Sequence, residues 1–291
     1  MRVLVTGATG QVGSEVVTAM HRLGHDVIAP GRSGLDLMQP SQVEHRVTLL
    51  VPDWIINCAA YTQVDRAESE PEQANTVNRD SAAALARAAA TCNARLLHVS
   101  TDFVFDGSQS RPYREDDTPN PLGVYGRSKL EGEQAVRDAL PDAVILRTAW
   151  VYGVHGHNFV RTMLRLACEG RPLRVVDDQT GSPTWAHDIA GAITALLQAG
   201  AAGLFHYTSA GSVSWCDFAG AILSEAAQAG FDIRTQTVEP ITTADYPTPA
   251  RRPAYSVLDT GKIQAELGLS IPAWRDSLVT MLGELYRCET S

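Results

Sequence analysis

The segment from Arg2 to Pro30 reads RVLVTGATGQVGSEVVTAMHRLGHDVIAP, and it decides the fold. The β-branched run RVLVT predicts a strand, VGSEVVTAMHRLG has the apolar spacing of a helix, and HDVIAP returns to strand character. Strand, helix and strand in so short a stretch predict a βαβ unit. The chain therefore begins with the building block of a parallel sheet.

Three glycines stand between the first predicted strand and the first predicted helix. In VTGATGQVG, Gly7, Gly10 and Gly13 follow the spacing G-x-x-G-x-x-G. Missing side chains let a backbone approach a pyrophosphate, and a helix N-terminus supplies N–H groups and a partial positive charge. In this context the triplet predicts a dinucleotide phosphate loop and not a mere tight turn.

The β-α alternation continues along the chain. Strands are predicted at DWIINCAA, ARLLHVST and AVILRTAWVYG, and helices at EQANTVNRDSAAALARAAATC and VYGRSKLEGEQAVRDAL. Apolar strands that alternate with helices are typical of a parallel sheet covered on both faces. The predicted fold class is α/β, a Rossmann-type doubly wound parallel sheet with a smaller C-terminal substrate-binding domain.

The pattern loosens after about residue 151. NFVRTMLRLACEG, WAHDIAGAITALLQAG and about 273–286 predict helices, and PLRVVDD and GLFHYTS predict strands. The stretch from the end of GLFHYTS to about residue 252 contains clustered prolines and is interpreted as an ordered, turn-rich region. We expect residues 1–151 with about 185–207 to form an NAD(P)-binding domain. Residues of about 152–184 with 208–291 are expected to form a substrate-binding domain.

Composition excludes several classes of function. Charged residues make up 20% of the 291 residues and the net charge is -9, so the overall field attracts neither nucleic acid nor an anionic membrane. No run approaches the ~20 apolar residues of a membrane span. Five scattered cysteines form no C-x-x-C pair that would indicate zinc or redox chemistry. We expect a cytoplasmic protein without membrane or nucleic-acid partners.

Such a fold binds the adenosine ribose at the end of the second strand, and it does so through an acidic residue when the cofactor is NAD. Gly31 stands in that place, followed by Arg32 and Ser33. A guanidinium favours a 2′-phosphate, which predicts NADPH, with NADH accepted if Arg32 is an ordinary surface arginine. Asp36 and Leu37, just beyond, are candidates either for contact with adenine or for a simple loop role.

Tyr125 and Lys129 stand four residues apart in NPLGVYGRSKLEGE, so a helix brings both to one face. A nearby ammonium is expected to lower the tyrosine pKa from about 10 and make the hydroxyl useful for proton transfer. Ser100 and Thr101 end the preceding strand, at the sheet edge where such folds bind ligands. The pair alone is a chance spacing, but with these hydroxyls and the glycine loop it predicts a reductase site.

The order of the motifs resembles the extended short-chain dehydrogenases/reductases and, within them, the dTDP-4-dehydrorhamnose reductases. The resemblance covers nearly the whole chain and is carried by TGATGQVG, NCAAYTQVDRAESEP, STDFVFDG, NPLGVYGRSKLEGE, RTAWVYG, NFVRTML, VVDDQTGSPT and YPTPARRPAYSVLDTGK. It implies NADPH-dependent reduction of the C4 keto group of dTDP-4-dehydro-6-deoxy-L-mannose to dTDP-L-rhamnose. The alternatives are a 4-ketoreductase for another dTDP-deoxysugar, of the dihydrostreptose type, and a non-catalytic regulatory subunit of the methionine adenosyltransferase type.

The resemblance also implies roles for individual residues. Catalysis is assigned to Thr101, Tyr125 and Lys129, with Tyr125 as the proton donor. Cofactor binding is assigned to Gly7, Gly10, Gln11, Val12, Gly13, Arg32, Asp36, Leu37, Ala59, Ala60, Tyr61, Tyr125 and Lys129. Substrate binding is assigned to Thr101, Asp102, Trp150 and Arg252, the last as the cation for the diphosphate. Asn158 and Arg161 are further candidates.

Three residues have structural alternatives to a role in the site. Asn78 is expected either to orient Lys129 through water or to bind backbone groups, and His187 and Asp188 are expected to cap a helix. Some members of the family hold Mg²⁺ at a dimer interface through glutamates. TWAHDIAG has no glutamate at the corresponding place, so no metal site is predicted, and a monomer and a homodimer both stay open.

Overall fold

A computed structural model of the protein describes residues 1–290. Its strands are β1 (Arg2–Thr6), β2 (Asp26–Ile28), β3 (Trp54–Asn57), β4 (Arg95–Thr101), β5 (Val144–Thr148), β6 (Val151–Tyr152), β7 (Leu173–Val176), β8 (Thr180–Gly181), β9 (Thr184–Trp185), β10 (Gly203–His206), β11 (Val213–Ser214) and β12 (Val238–Ile241). Its helices are α1 (Gln11–Arg22), α2 (Pro40–Leu50), α3 (Val64–Ala67), α4 (Pro71–Asn75), α5 (Ser81–Cys92), α6 (Val124–Ala139), α7 (Phe159–Cys168), α8 (Ala186–Gln198), α9 (Trp215–Ala229), α10 (Gly261–Leu267) and α11 (Trp274–Thr290).

The main sheet has six strands in the order β10-β5-β4-β3-β1-β2, and every neighbouring pair is parallel. The chain moves to one side of β1 to form β2 and then to the other side to form β3. This reversal opens a crevice at the carboxyl end of β1, where open α/β sheets bind ligands. The predicted Rossmann-type parallel sheet is confirmed.

Successive residues of β1 face the two helical layers. Val3 and Val5 are buried in a core that includes residues of α1 and α8, whereas Leu4 is buried with residues of α2, α5 and α6. The alanines of α5 are small enough to let this helix lie close to its neighbours. Because both faces of the strand are buried, the strand is a continuous apolar run.

A second core lies in the C-terminal half, among α7, α9 and α11. Three two-stranded sheets accompany it, β7 with β12, β6 with β9, and β8 with β11. By contrast, α8 packs against α1 and β10 pairs with β5, so this later segment of chain returns to the main sheet. Within residues 1–290, no helix has both the length and the apolarity needed to cross a bilayer.

Three secondary-structure expectations were wrong. The single strand predicted at AVILRTAWVYG is β5 and β6, which belong to different sheets. The long helix predicted at EQANTVNRDSAAALARAAATC is α4 and α5 joined by a π-helical turn, Thr76–Asp80. The widened turn carries Asn78, whose side chain binds elsewhere in the chain. The supposed turn-rich region contains α9. Two residues in the sequence mark the ends of this helix: the Ser214 side chain caps its N-terminus, and Gly230 adopts the left-handed conformation at its C-terminus.

Candidate active site

The glycine loop lies between β1 and α1. Gly7 has a φ of +67°, and a Cβ there would lie 2.7 Å from the Ala59 nitrogen. A Cβ at Gly13 would lie 2.1 Å from the Gly7 carbonyl oxygen, so the loop backbone rests directly on the helix. No side chain of residues 1–290 caps α1, whose first turn lacks acidic residues. Its first N–H groups are therefore available to an anion, and the loop fits the predicted pyrophosphate.

We expect Gly13→Ala to disrupt this loop. A methyl group so close to a backbone oxygen forces the loop to move, and such overpacking costs about 1–3 kcal/mol of unfolding free energy. Urea denaturation and dinucleotide binding measure the two consequences. Gly220→Ala is the matched control, because Gly220 lies in α9 with nothing near the added Cβ, and it is expected to raise stability slightly. Wild-type stability and affinity in Gly13→Ala would refute the close approach.

The loop after β2 presents the predicted 2′-phosphate contact. Arg32 is exposed, and no hydrogen bond within residues 1–290 engages its guanidinium. Asp36 instead accepts hydrogen bonds from the Met38 nitrogen at 3.0 Å and the Gln39 side chain at 3.2 Å, and these bonds lower the Asp36 pKa. Leu37 accepts a hydrogen bond from Ser81 through its carbonyl. These bonds hold Asp36 and Leu37 within the protein, their contact with adenine stays a prediction, and Arg32 presents a cation to solvent.

Thr101, Tyr125 and Lys129 come together at the carboxyl end of β4. Thr101 is the last residue of that strand, and Tyr125 and Lys129 lie one turn apart on α6, which packs against β4. The side chain of Thr101 lies close enough to that of Tyr125 to act on its pKa. The Phe103 ring meets the Tyr125 ring edge-on, with a centroid distance of 5.5 Å. The structure therefore assembles the predicted threonine, tyrosine and lysine in one place.

The pKa of Tyr125 differs from the expectation. Burial raises it to about 12, while the Thr101 hydrogen bond opposes the rise and the Asp102 charge adds to it. Lys129 Nζ is directed toward β4, where it donates to the Val99 carbonyl at 2.7 Å. Burial also lowers the Lys129 pKa to about 8. The expected lowering of the Tyr125 pKa by the ammonium is therefore absent from this structure, because burial dominates.

Asp102 lies in the same buried group. It is 2% exposed, and the Thr101 hydroxyl donates to its Oδ1 at 3.0 Å. Burial raises the Asp102 pKa to about 6, although hydrogen bonds from Ser256 and Thr101 oppose the rise. The predicted substrate residue thus stands next to the predicted catalytic hydroxyls, and its protonation changes close to neutral pH.

A cavity of about 490 Å³ opens beside Phe103. Trp150 and Arg252, both predicted to bind substrate, line it. Trp150 holds a φ of +47°, and its ring stacks on Trp215 with a centroid distance of 3.5 Å. A Cβ at Gly181 would lie 2.3 Å from the Trp150 ring, so the absent side chain leaves room for the indole.

Arg252, in the wall of this cavity, forms an ion pair with Asp65. Its Nη1 and Nη2 bind the two carboxylate oxygens of Asp65 at 3.1 and 2.8 Å, and the hydrogen bond to Arg252 lowers the Asp65 pKa. Nη1 also donates to Thr248 and to the Ala250 carbonyl. The expected diphosphate cation is therefore held in place, with its charge shared with Asp65.

Asn78 has the structural role that was its alternative. Its Oδ1 accepts a hydrogen bond from the Tyr61 nitrogen at 2.8 Å, and its Nδ2 donates to Ser128 Oγ at 2.9 Å. These bonds tie α6 to the segment after β3. Asn158 likewise accepts from the Arg161 nitrogen and caps α7, while its Nδ2 donates to the Gln11 side chain at 3.0 Å. The second bond joins the glycine loop to the C-terminal half.

The expectation that His187 and Asp188 cap a helix was wrong. The N-cap of α8 is Trp185, without a side-chain hydrogen bond. His187 Nδ1 lies 3.2 Å from Glu15 Oε2, and Asp188 accepts a hydrogen bond from Ser277, so both make tertiary contacts with other helices. Nowhere in residues 1–290 do three or more His, Cys, Asp or Glu side chains gather as metal ligands would.

Sequence reasoning missed the charged group beneath the site. Glu133 accepts hydrogen bonds from Arg147 at 2.8 and 2.7 Å and from Ser100 at 2.6 Å, and all three residues are buried. The Ser100 hydroxyl thus faces Glu133 and not the crevice, contrary to expectation. Asn57, at the end of β3, and His98, in the middle of the neighbouring strand β4, were also missed, and both are buried. Their signal was a polar residue within or ending an apolar strand, since buried polar groups need partners.

Comparison with known proteins identifies the family. The family described as RmlD substrate binding domain matches residues 1–287. A dTDP-4-dehydrorhamnose reductase of Sinorhizobium fredii is 44% identical over 285 residues, which cover 95% of this chain and 95% of that protein. The chain belongs to the dTDP-4-dehydrorhamnose reductase family. The resemblance found in the motifs is confirmed, and with it the oxidoreductase class.

Further members of the dTDP-4-dehydrorhamnose reductase family match just as completely. The reductase of Salmonella typhimurium is 41% identical, and the match covers 100% of both chains. The crystal structure of the Bacillus anthracis reductase in complex with NADP superposes with a TM-score of 0.92 at 36% identity, covering 97% of this chain and 99% of that one. This relative confirms the α/β fold and supports the predicted NADP cofactor.

Proposed function

We propose that this protein is a dTDP-4-dehydrorhamnose reductase that uses NADPH to reduce the C4 keto group of dTDP-4-dehydro-6-deoxy-L-mannose to dTDP-L-rhamnose. One observation carries the proposal: the group of Thr101, Tyr125 and Lys129 lies at the carboxyl edge of the same parallel sheet that carries the glycine loop. The adjacent cavity, lined by Phe103, has a volume typical of ligand sites. The names of the relatives supply the sugar.

The chain offers groups that fit the dinucleotide. The first-turn N–H groups of α1 would hold the pyrophosphate, and Arg32 would bind the 2′-phosphate. When bound, NADPH supplies the hydride that C4 of the sugar receives. The proposed cofactor contacts are Gly7, Gly10, Gln11, Val12, Gly13, Arg32, Asp36, Leu37, Ala59, Ala60, Tyr61, Tyr125 and Lys129.

Tyr125 is the proposed proton donor. Its pKa of about 12 keeps the hydroxyl protonated at neutral pH, so Tyr125 has a proton to donate when the keto sugar binds. Thr101, beside Tyr125, would stabilise the charge that develops on the sugar oxygen once its hydroxyl donates to that oxygen instead of to Asp102. As that oxygen takes the proton, Tyr125 becomes a phenolate. Lys129, one helical turn away, supplies the stabilising positive charge in its ammonium form, which predominates at pH 7 because its pKa is about 8.

The sugar nucleotide is proposed to occupy the cavity beside Phe103. Asp102 would bind the sugar close to Thr101, and Trp150 would contact the sugar or the nucleotide from the cavity wall. Arg252 would approach the diphosphate while it stays paired with Asp65, which fixes the direction of its guanidinium. A cation that is already oriented loses little side-chain freedom on binding.

Arg32→Gln is expected to raise the KM for NADPH by about 10- to 100-fold and to leave the KM for NADH unchanged. A charge-assisted hydrogen bond contributes about 1.5–3 kcal/mol, and only NADPH carries the 2′-phosphate that would form one. Steady-state kinetics with both cofactors measure the split. Arg22→Gln, at an exposed position near the end of α1, is the matched control. An equal change for both cofactors would contradict the 2′-phosphate contact.

Consumption of NADPH in the presence of dTDP-4-dehydro-6-deoxy-L-mannose tests the function directly. We expect oxidation that depends on the sugar nucleotide, and slower oxidation with NADH. If the folded protein oxidises neither cofactor with this sugar, the proposed substrate is wrong. Activity with another dTDP-4-keto-deoxysugar would then identify the dihydrostreptose type, and binding to a methionine adenosyltransferase without any reduction would identify the regulatory type.

We also propose the division of labour between the two halves. Residues 1–151 with about 185–207 would bind the cofactor, and residues of about 152–184 with 208–291 would bind the substrate. The pairing of β10 with β5 and the packing of α8 on α1 support this division.

A cytoplasmic location is proposed because all five cysteines are free, as suits a reducing compartment. The proposed assembly is a monomer or a homodimer.

A further inference from the structure

A buried hydrogen-bond relay runs from the glycine loop to Lys129. Its members are Thr6, Asn57, His98 and Lys129, at the ends of β1 and β3, on β4 and on α6, and each is at most 2% exposed. Thr6 Oγ1 donates to Asn57 Oδ1 at 2.6 Å. Asn57 Nδ2 lies 2.8 Å from His98 Nδ1. On the other side of the ring, His98 Nε2 lies 3.3 Å from Lys129 Nζ.

A backbone N–H fixes the orientation of the Asn57 amide. The Ala59 nitrogen donates to Asn57 Oδ1 at 3.2 Å. Because a backbone nitrogen only donates, the atom it meets must be the amide oxygen, and the NH₂ group must face His98. His98 Nδ1 therefore accepts. Burial and the neighbouring Lys129 charge hold the His98 pKa well below its usual value, so the ring is neutral and carries its proton on Nε2.

This proton points at Lys129. An ammonium group has three donors and no lone pair, so it cannot accept a hydrogen bond from His98 Nε2, whereas an amine can accept it and still donate to the Val99 carbonyl. We propose that His98 is a positioning residue that presents an N–H to Lys129 Nζ, favours the amine form of that side chain and holds it on β4. The Asn57 amide connects this preference to the glycine loop. The role in catalysis rests on the proposed reductase function.

The other titratable groups around Lys129 do not explain an amine. Glu133, on the same helix, has a charge that favours the ammonium. Burial raises the pKa of Cys58, after β3, to about 12 and leaves it a neutral thiol. Tyr125 is also protonated at neutral pH. Burial lowers the Lys129 pKa. The contact of Nζ with His98 Nε2 is the one that we propose distinguishes the amine from the ammonium.

The lysine content of the chain allows a direct test. Lys129 and Lys262 are its only lysines, so protein labelled with [6-¹³C]lysine gives two Cε signals, and Lys262→Arg assigns them. We expect Lys129 to titrate at a pH of about 8. His98→Met replaces the N–H by a weak acceptor, and the midpoint should rise by about one pH unit, a tenfold change in proton affinity. His98→Gln keeps an acceptor for Asn57 and an N–H for Lys129, so it should retain the wild-type midpoint.

Two further variants protect the test against loss of folding. Asn57→Asp cannot donate, so His98 must protonate Nδ1 and accept from the ammonium through Nε2, and the Lys129 midpoint should again rise. His206→Gln removes another fully buried histidine and should lower stability without moving the midpoint. Equal midpoints in wild type, His98→Met and Asn57→Asp would overturn the role of His98.

In His98→Met, the decline of kcat at alkaline pH should shift to higher pH, in the same direction as the Lys129 midpoint measured by NMR. The two readouts separate the proposals, since the titration needs neither cofactor nor substrate. A wild-type protein that does not oxidise NADPH would defeat the proposed function, and the titration would still decide the role of His98. An active wild type whose His98 variants keep the wild-type pH profile would defeat the positioning role alone.

Discussion

Replacing Tyr125 by phenylalanine is expected to lower kcat by about 10²- to 10⁴-fold, the usual contribution of a general acid. The remaining ring can still meet Phe103 edge-on, so the change removes the hydroxyl and little else. NADPH binding should therefore stay close to that of the wild type. Steady-state NADPH oxidation gives kcat, and quenching of intrinsic fluorescence gives the dissociation constant of NADPH.

Tyr113→Phe is the matched control for this result. Tyr113 is buried and has a hydroxyl that donates to Asp106 at 3.1 Å, and its ring stacks on Phe105 in a separate apolar cluster. Loss of the Tyr113 hydroxyl is expected to lower the free energy of unfolding by about 1 kcal/mol with little change in kcat. If Tyr125→Phe keeps kcat within tenfold of the wild type, Tyr125 is not the proton donor.

The sheet and the Tyr125–Lys129 pair could be predicted because both follow from local spacing. The apolar run of β1 and the glycines after it specify a strand, a loop and a helix within a few residues of each other. A separation of four residues places two side chains on one face of any helix. These inferences need no knowledge of what lies across the fold.

The partners of the site residues could not be predicted, because they come from distant parts of the sequence. Asp65 binds Arg252 from 187 positions away, so the arginine expected to bind the diphosphate is also half of an ion pair. The direction of the Tyr125 pKa depends on burial, which the helix spacing does not reveal. The π-helical turn at Asn78 likewise follows from its bonds to Tyr61 and Ser128, beyond the reach of helix propensity.

Arg147→Met is expected to lower the free energy of unfolding by about 3–5 kcal/mol, the usual cost of breaking a buried ion pair. Glu133 is fully buried, and without the guanidinium only the 2.6 Å bond from Ser100 is left of its three side-chain hydrogen bonds. Urea denaturation measures the loss. Arg234→Met, which breaks an exposed pair with Asp232, is the control and should change stability little.

The double variant Glu133→Gln with Arg147→Met should recover much of that stability, because it removes the uncompensated charge together with its partner. The single variant should also raise the Lys129 pKa, since Glu133 already favours the ammonium and would no longer share its charge with Arg147. Arg147 would then act on the site only through Glu133. A double variant no more stable than Arg147→Met would show that the cost comes from lost packing around the arginine, including its contact with the Phe105 ring, and not from the buried charge.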